Sequence, residues 1–563
     1  MYLKSLYPPV PPTPQKNVHE FIFSSPTKDL PNHVAHLDVV TGRKRTRREV
    51  EEYVRDAATA LGSPVLQGGM GLSGEAGDIV GICSGNCMNY VTLLQACLVI
   101  TTPFAPISSY STHMELVHAL RLTGITRVFV QPSILPRMLA ATKEVGIPQD
   151  HVYILEGQGV DGRKSLDDIV EDARAKRIPR LPVRPATHDT LAYLIFSSGT
   201  TGLPKAVMIS HGNIYFTLLA GQIFTPPVPP VVLAVLPFHH TYGLQMFAIR
   251  CVIDQTTLAI VPKWDAKIVL SAIPKYKVNV FLLVPSMLHQ LVTSGLLDKA
   301  DLSSVWSVAT GAAYLPPKVE EKFMSMVKQI PRVSQGYGLS ECTLSGLRKP
   351  VPGCLGGRQP ARGSAGILLP GMEARLLRED GTDVGFNEPG EVWLKGGNIA
   401  LGYFKNEKAT KETFIDGWLR TGDRFQVDEQ ENFYFIDRIK DILKVGGVQV
   451  SPTEIEEVLR MHPDKLLADV CVAGVSGGRT SDELVPRAWF VLSEEGKRFG
   501  VEKTVRELEE WTHKNLSKYK WLRGGVEVVD SIPKSPTGKV LRRKLQDKFE
   551  AELAARQGAK SKL

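Results

Sequence analysis

Residues 191–209, LAYLIFSSGTTGLPKAVMI, set a run of hydroxyl and glycine residues between two apolar segments. Small side chains let backbone N–H groups approach an anion closely. The hydroxyls of Ser197, Ser198, Thr200 and Thr201 add donors around Gly199 and Gly202, and Lys205 supplies a point charge. These residue types at this spacing make a cradle for phosphate. It is not the Gly-x4-Gly-Lys-Ser/Thr loop, because its lysine follows Gly202-Leu203-Pro204 and strands are predicted on both sides. Taken alone, the same stretch also suits a plain surface turn rich in Ser, Thr and Gly.

More chemistry-bearing groups follow in order: PFHHTYGL at 237–244, ATGAA at 309–313, QGYGLSE at 335–341, GWLRTGD at 417–423, DRIKDILK at 437–444 and PKSPTGK at 533–539. Singly, each has an ordinary reading. A histidine between aromatic residues is usually a satisfied core group, and a lysine after Thr-Gly in a turn is usually solvated. Two prolines restricting the loop around Lys539 favour a functional lysine.

Together, and in this order, the phosphate loop and these six segments resemble the signature motifs of the adenylate-forming superfamily of acyl-CoA synthetases, luciferases and adenylation domains. The resemblance runs from about residue 38 to 545 and is closest in pattern to the 4-coumarate:CoA ligase and luciferase-like branch, including peroxisomal aryl and acyl-CoA ligases. It implies an ATP-dependent carboxylic acid:CoA ligase working through an acyl-adenylate, with ATP, Mg2+ and CoA as its small-molecule requirements. Neutralising charge on the transferring and leaving phosphates would fall to Lys205, Lys539 and a Mg2+ held by Glu341.

The resemblance also assigns the remaining roles. Ser197, Ser198, Gly199, Thr200, Thr201, Gly202, Ala313, Gln335, Gly336, Tyr337, Ser340, Asp423 and Arg438 bind the nucleotide, with Asp423 the acceptor for two ribose hydroxyls. His240, Tyr242, Gly243, Ala313, Gly336 and Gly338 line the acid pocket, His240 being the contact to the carboxylate or its mixed anhydride. Lys440 is the hinge about which a small domain swings, so that Lys539 serves adenylation while Lys444, Gly446, Gly447 and Gln449 replace it for thioester formation, with Lys263 near the CoA phosphates. Four positions depart from the family's habit: Ala206 stands for glycine, Tyr314 for proline, Ser340 for threonine and Gly446 for lysine. Ser340 keeps the hydroxyl, and Gly446 puts the details of pantetheine contact in question.

Positioning these groups takes a sheet with helices on its faces. From Gly77 onward, apolar runs at Asp78–Cys83, Arg127–Val130, Val231–Leu236 and Val280–Leu283 alternate with helical segments such as Asn89–Ile100, the rhythm of a parallel α/β sheet. Between Gly363 and Asp423, short strands such as Met372–Leu377 and Gly390–Lys395 predict a β-rich subdomain. After Asp437 an α+β pattern begins: a helix capped by Ser451-Pro452, strands at Leu467–Val475 and Arg487–Leu492, a helix at Thr504–Leu516 and a strand at Val526–Val529. The expected fold is α/β, with a large multi-subdomain N-terminal domain over 1–436 and a small mobile α+β domain over 437–563.

Bulk properties exclude other classes. The chain has 563 residues and a net charge of +8 from 67 basic and 59 acidic side chains, too diffuse for a nucleic-acid binder. Arg43-Lys-Arg-Thr-Arg-Arg48 reads as a solvated face beside a helix start in preference to a nuclear signal, and the basic stretch from Lys520 to the end suits a phosphorylated small molecule. Seven scattered cysteines give neither a disulfide framework nor a paired metal site, which points to a reducing compartment. The longest apolar stretch falls short of a membrane span, and the MYLKSLYPPVPPTP opening reads as an extended proline-rich lead-in instead of a signal peptide.

The last three residues, Ser561-Lys562-Leu563, are the tripeptide read by a peroxisomal import receptor, and Arg556, Gly558 and Lys560 suggest a basic, flexible presentation. The expected partners are therefore a small carboxylic acid, ATP, CoA and that receptor. Glycines 243, 311, 336 and 338 leave room for a ring or chain, so aryl acids of the 4-coumarate or phenylacetate type come first and medium-chain fatty acids second. A carrier-loading adenylation enzyme is less favoured, since only 24 residues follow Lys539. A luciferase-like oxygenase ranks lower, as does a non-catalytic scaffold given the joint presence of Lys205, Glu341, Asp423, Arg438 and Lys539.

Overall fold

The computed structural model describes the chain apart from residues 25–31, 198–202, 224–225, 227, 254, 313–314, 316, 329, 331–332, 351–353, 379, 439–442, 447, 478–483, 534–541 and 561–563. It clusters into two compact units. One comprises 1–109, 119–196 and 206–437; the other comprises 110–118, 197–205 and 438–563.

In the first unit, Val80–Cys83 is buried at every residue and pairs in parallel with Phe104–Ile107 on one side and Arg127–Val130 on the other. A strand covered on both faces needs no polar alternation, which is why VGIC reads as a continuous apolar run. Helix Met88–Val99 makes the first crossover and is buried all round, so it lacks the one-sided stripe of a surface helix. The sheet holds seven strands among the described residues, in the order 402–403, 205–210, 191–197, 104–107, 80–83, 127–130, 152–154. The phosphate-loop segment thus lies between two strands, Leu191–Ser197 and Lys205–Ser210, as its sequence predicts.

A second sheet of nine strands runs 367–368, 347–348, 333–337, 307–310, 280–283, 231–234, 257–260, 34–38, 44–46. Its middle is parallel, and its outer pairs at both ends are antiparallel. The β-rich region is a third, antiparallel sheet built on Glu373–Leu377, Gly390–Lys395 and Trp418–Val427. Its edge is Tyr2–Lys4, so the chain's first residues pair as a strand with 373–377 where the sequence suggested only an extended lead-in.

In the basic run at 43–48, Arg43, Lys44 and Arg48 are exposed beside a helix start as expected, and Arg45 departs from that solvated state. Thr46 caps helix Arg47–Gly62, but Arg45 turns inward, its guanidinium 2.9 Å from Asn89 Oδ1 and stacked over the Tyr53 ring. A neighbouring aromatic face and an amide compensate the buried cation, a tertiary arrangement that local charge counting misses.

The second unit has its own core around Val450, Ile455, Val458, Val472, Phe490 and Leu508. Ser451 caps helix Pro452–Arg460 as its Ser-Pro start predicts, and strands Leu467–Ser476, Leu484–Leu492 and Val526–Val528 form a sheet beside helix Val501–Asn515. Helix Arg542–Lys560 continues through Gly558, where the sequence suggested a flexible lead. Within this unit the Lys520 ammonium is buried between Glu115 Oε1 at 2.5 Å and Glu454 Oε1 at 2.7 Å, with the Ser517 hydroxyl also donating to Glu115.

Candidate active site

The carboxyl ends of neighbouring parallel strands in the nine-stranded sheet gather the predicted groups. The segment bearing His240, Tyr242 and Gly243 follows strand Val231–Ala234, Gly311 follows Ser307–Thr310, and Gly336 and Tyr337 end Val333–Tyr337. Open α/β sheets bind ligands at such ends, where loops are free to carry chemistry while the strands hold them rigidly.

Close packing dictates the glycines. A Cβ on Gly243 would lie 2.2 Å from the Pro237 carbonyl oxygen, and one on Gly338 would lie 1.7 Å from that of Leu344. At Gly311 a Cβ would sit 3.6 Å from the Tyr242 ring and 3.5 Å from the Gly336 carbonyl, so these three residues adjoin one another.

His240 caps the short helix Thr241–Gly243, its Nδ1 accepting from the Tyr242 backbone N–H at 3.3 Å. In the neutral ring this leaves the proton on Nε2, the tautomer suited to donate to a carboxylate oxygen. The Thr241 hydroxyl donates to Ser340 Oγ at 3.0 Å, tying this loop to the QGYGLSE segment. Ser340 thus uses the hydroxyl that its replacement of threonine retains.

Among the residues expected to bind nucleotide, the Tyr337 hydroxyl donates to Asp423 Oδ2 at 2.7 Å, and the carboxylate is almost wholly buried. Its ring packs edge-on against Phe425 at 4.8 Å, which fixes both the ring and the acceptor. Gln335 is held from behind by Glu320 Oε2 at 2.9 Å.

Glu341 Oε1 accepts from the Tyr403 hydroxyl at 2.9 Å. Tyr403 is buried, and burial together with this carboxylate pushes its pKa up, so it stays a donor. Gly402 and Tyr403 pair with Met208 and Val207, just beyond Lys205, so one strand pairing connects the cation's strand to the partner of Glu341. No cluster of three His, Cys, Asp or Glu occurs among the described residues. A lone oriented carboxylate fits Mg2+, which takes most of its oxygen ligands from phosphates and water.

Two family models cover most of the chain: AMP-binding enzyme over 24–404 and AMP-binding enzyme C-terminal domain over 454–539. The chain belongs to the AMP-binding enzyme family. A probable 4-coumarate–CoA ligase 1 of Dictyostelium discoideum is 32% identical, covering 97% of each chain. The acyl-CoA ligase AKT1 of Alternaria alternata is 31% identical over 96% of each. Among solved structures, the amide bond synthetase McbA from Marinactinospora thermotolerans superposes with a TM-score of 0.79 at 23% identity, covering 95% of this chain and 99% of that one, a likeness of fold.

In this AMP-binding enzyme, Ser197 ends its strand and Lys205 begins the next, while Ser198, Gly199, Thr200, Thr201, Gly202, Ala313, Tyr314, Lys440, Gly447 and Lys539 lie outside the described residues. Arg438, Lys444 and Gln449 lie on strands, their side chains outside the description. Lys263 is exposed on the loop before helix Ala266–Tyr276. Gly446 turns the hairpin between Leu443–Val445 and Val448–Val450 with φ +58°. A two-residue hairpin favours such a residue, a local reason for glycine at this position.

Sequence reasoning missed Tyr403, Thr241 and Glu320. Tyr403 had one available signal: a buried tyrosine needs a partner for its hydroxyl. Glu320 comes from a different helix and had none.

Proposed function

We propose that this AMP-binding enzyme couples an aryl carboxylic acid, of the 4-coumarate or phenylacetate kind, to CoA. As an AMP-forming acid:CoA ligase it joins acid and ATP into acyl-AMP and pyrophosphate, then exchanges AMP for the CoA thiol. The observation that carries this reading is the meeting of His240, Tyr242, Gly311, Gly336, Tyr337 and Ser340 at one sheet end, with Asp423 bound to Tyr337.

His240, with its proton on Nε2, orients the acid's carboxylate toward the α-phosphorus. Tyr337 and Asp423 hold the adenosine, the carboxylate accepting from the ribose hydroxyls. Lys205 and Lys539 place positive charge on the phosphate oxygens as the leaving pyrophosphate gains charge. Glu341 would hold Mg2+, which when bound would neutralise further charge on the phosphates. Residues 437–563 form the mobile domain, turning about Lys440 to present Lys444, Gly446, Gly447 and Gln449 for thioester formation, with Lys263 on the CoA phosphates.

AMP and thioester formation with ATP, Mg2+ and CoA against a panel of aryl and fatty acids tests this reading. Wild type is expected to make CoA thioester, fastest with aryl acids, and Lys539→Ala to lower acyl-AMP formation at least about hundredfold. Fatty acids turned over faster would transfer the proposal to medium-chain substrates, and acyl-AMP without thioester would point to another acceptor.

Tyr403→Phe removes the donor that orients Glu341. The Mg2+ concentration for half-maximal ATP binding, followed by calorimetry, is expected to rise about tenfold, with ATP binding at saturating Mg2+ little changed. An unchanged Mg2+ requirement would show that Tyr403 does not position the carboxylate.

Ser561-Lys562-Leu563 supports import into peroxisomes through the receptor for that tripeptide. A fluorescent protein fused to the N-terminus is expected to be punctate with the full chain and diffuse without those three residues; a location indifferent to the deletion refutes it.

A further inference from the structure

Strand Leu347–Arg348 lies antiparallel to Val333–Tyr337, with Arg348 directly opposite Gly336. Opposed residues of an antiparallel pair project from the same face, so the arginine rises from the face that Gly336 leaves bare. Gly336 adjoins Gly311 and Tyr242, and it is the hydroxyl-bearing end of the Tyr242 ring, Cε1 and Cζ, that comes within 3.6 and 3.8 Å of a Cβ at Gly311. Tyr242 is partly buried, and the Arg348 charge is felt at its hydroxyl, where it opposes the upward push of burial. The neighbouring Lys349 is matched within the protein by Glu320 at 3.7 Å, both side chains being largely buried.

A guanidinium and a phenol beside two glycines of the expected acid pocket are poor company for a hydrocarbon tail. Both present donors, and with five N–H groups Arg348 can keep contacts within the protein and still hold an acceptor.

Resting on the ligase reading above, we propose that Arg348 is a specificity-determining residue of the acid pocket, selecting acids that carry a second oxygen acceptor, a carboxylate before a hydroxyl, at the end remote from the reacting carboxylate. A ring carboxylate would take two parallel hydrogen bonds from the guanidinium with help from Tyr242, and a ring hydroxyl would take one. An unsubstituted ring offers no such acceptor and forgoes those charge-assisted bonds.

The test compares phenylacetate with its para-carboxy and para-hydroxy derivatives in wild type, Arg348→Ala and Arg348→Lys. In wild type the kcat/KM for thioester formation is expected to rank carboxy above hydroxy above plain. The ratio of carboxy to plain falls at least about tenfold in Arg348→Ala, and Arg348→Lys, which keeps the charge but loses the fork, recovers part of it. Melting-temperature shifts with the same three acids and ATP read the preference without turnover, so a protein that makes no thioester still tests Arg348 while failing as a ligase. A wild type indifferent to the para group, or an Arg348→Ala ratio equal to wild type by both readouts, overturns the proposal.

Discussion

Brought from pH 7 to pH 5, the protein is expected to lose about 6 kcal/mol of stability through three imidazoles in its first unit, His19, His36 and His211. All three are buried, and burial lowers their pKa values from 6.5 to about 3, about 3 and about 4. Nearby cations add to it, Arg55 beside His19 and Arg45 beside His36. His211 Nδ1 accepts the Val18 backbone N–H at 3.2 Å, so a proton there would meet a donor. With the folded pKa below the unfolded one, the unfolded chain binds more protons. Stability is therefore complete above 6.5 and declines as pH falls toward 3–4. Each site costs about 1.4 kcal/mol per pH unit in that window, or about 2 kcal/mol at pH 5. Urea unfolding at pH 7, 6 and 5 measures the slope, and His36→Gln should remove about a third of it. A profile flat over that range would show that the three rings take up protons as readily in the folded protein as in the unfolded chain.

The second large effect lies at Lys520. Its ammonium sits between two buried carboxylates, and their proximity raises its pKa against the pull of burial. The same contact holds Glu115 below the usual carboxylate range, whereas burial pushes Glu454 up; its Oε2 has no hydrogen-bond partner among the described residues. Lys520→Met leaves two carboxylates facing one another without a cation, and a loss of about 3–5 kcal/mol is expected at pH 7. Adding Glu115→Gln and Glu454→Gln should restore much of that, since paired neutral groups avoid the stranded charge. The deficit of the single variant should also shrink on acidification, as Glu454 takes up a proton first. Unfolding of the three proteins by urea decides the matter. A Lys520→Met protein as stable as wild type would mean that water reaches the carboxylates.

Local rules carried far along this chain. Strands Arg127–Val130, Val280–Leu283 and Gly390–Lys395 have the bounds that their apolar runs predict, and the Ser451-Pro452 start opens its helix one residue on. Ends slipped where packing prevailed: Val231–Ala234 stops before Val235 and Leu236, although both are buried, because strand pairing ends there. Motif order identified the family and the residues that reach the sheet end. Side-chain partnerships were not legible, since Tyr403 meets Glu341 across 62 residues and Tyr337 meets Asp423 across 86.

By itself, then, the sequence determined the family and the order of strands and helices, and singled out candidates for the phosphate, acid and ribose groups, because those depend on local periodicity and on residue types at fixed spacing. Only the tertiary structure decided which acceptor each donor holds, that Arg45 turns inward, that Tyr2–Lys4 closes a sheet edge and that Arg348 stands opposite Gly336. Burial and long-range register are properties of the assembled chain, and both the imidazole pKa shifts and the Arg348 charge felt at Tyr242 arise from them.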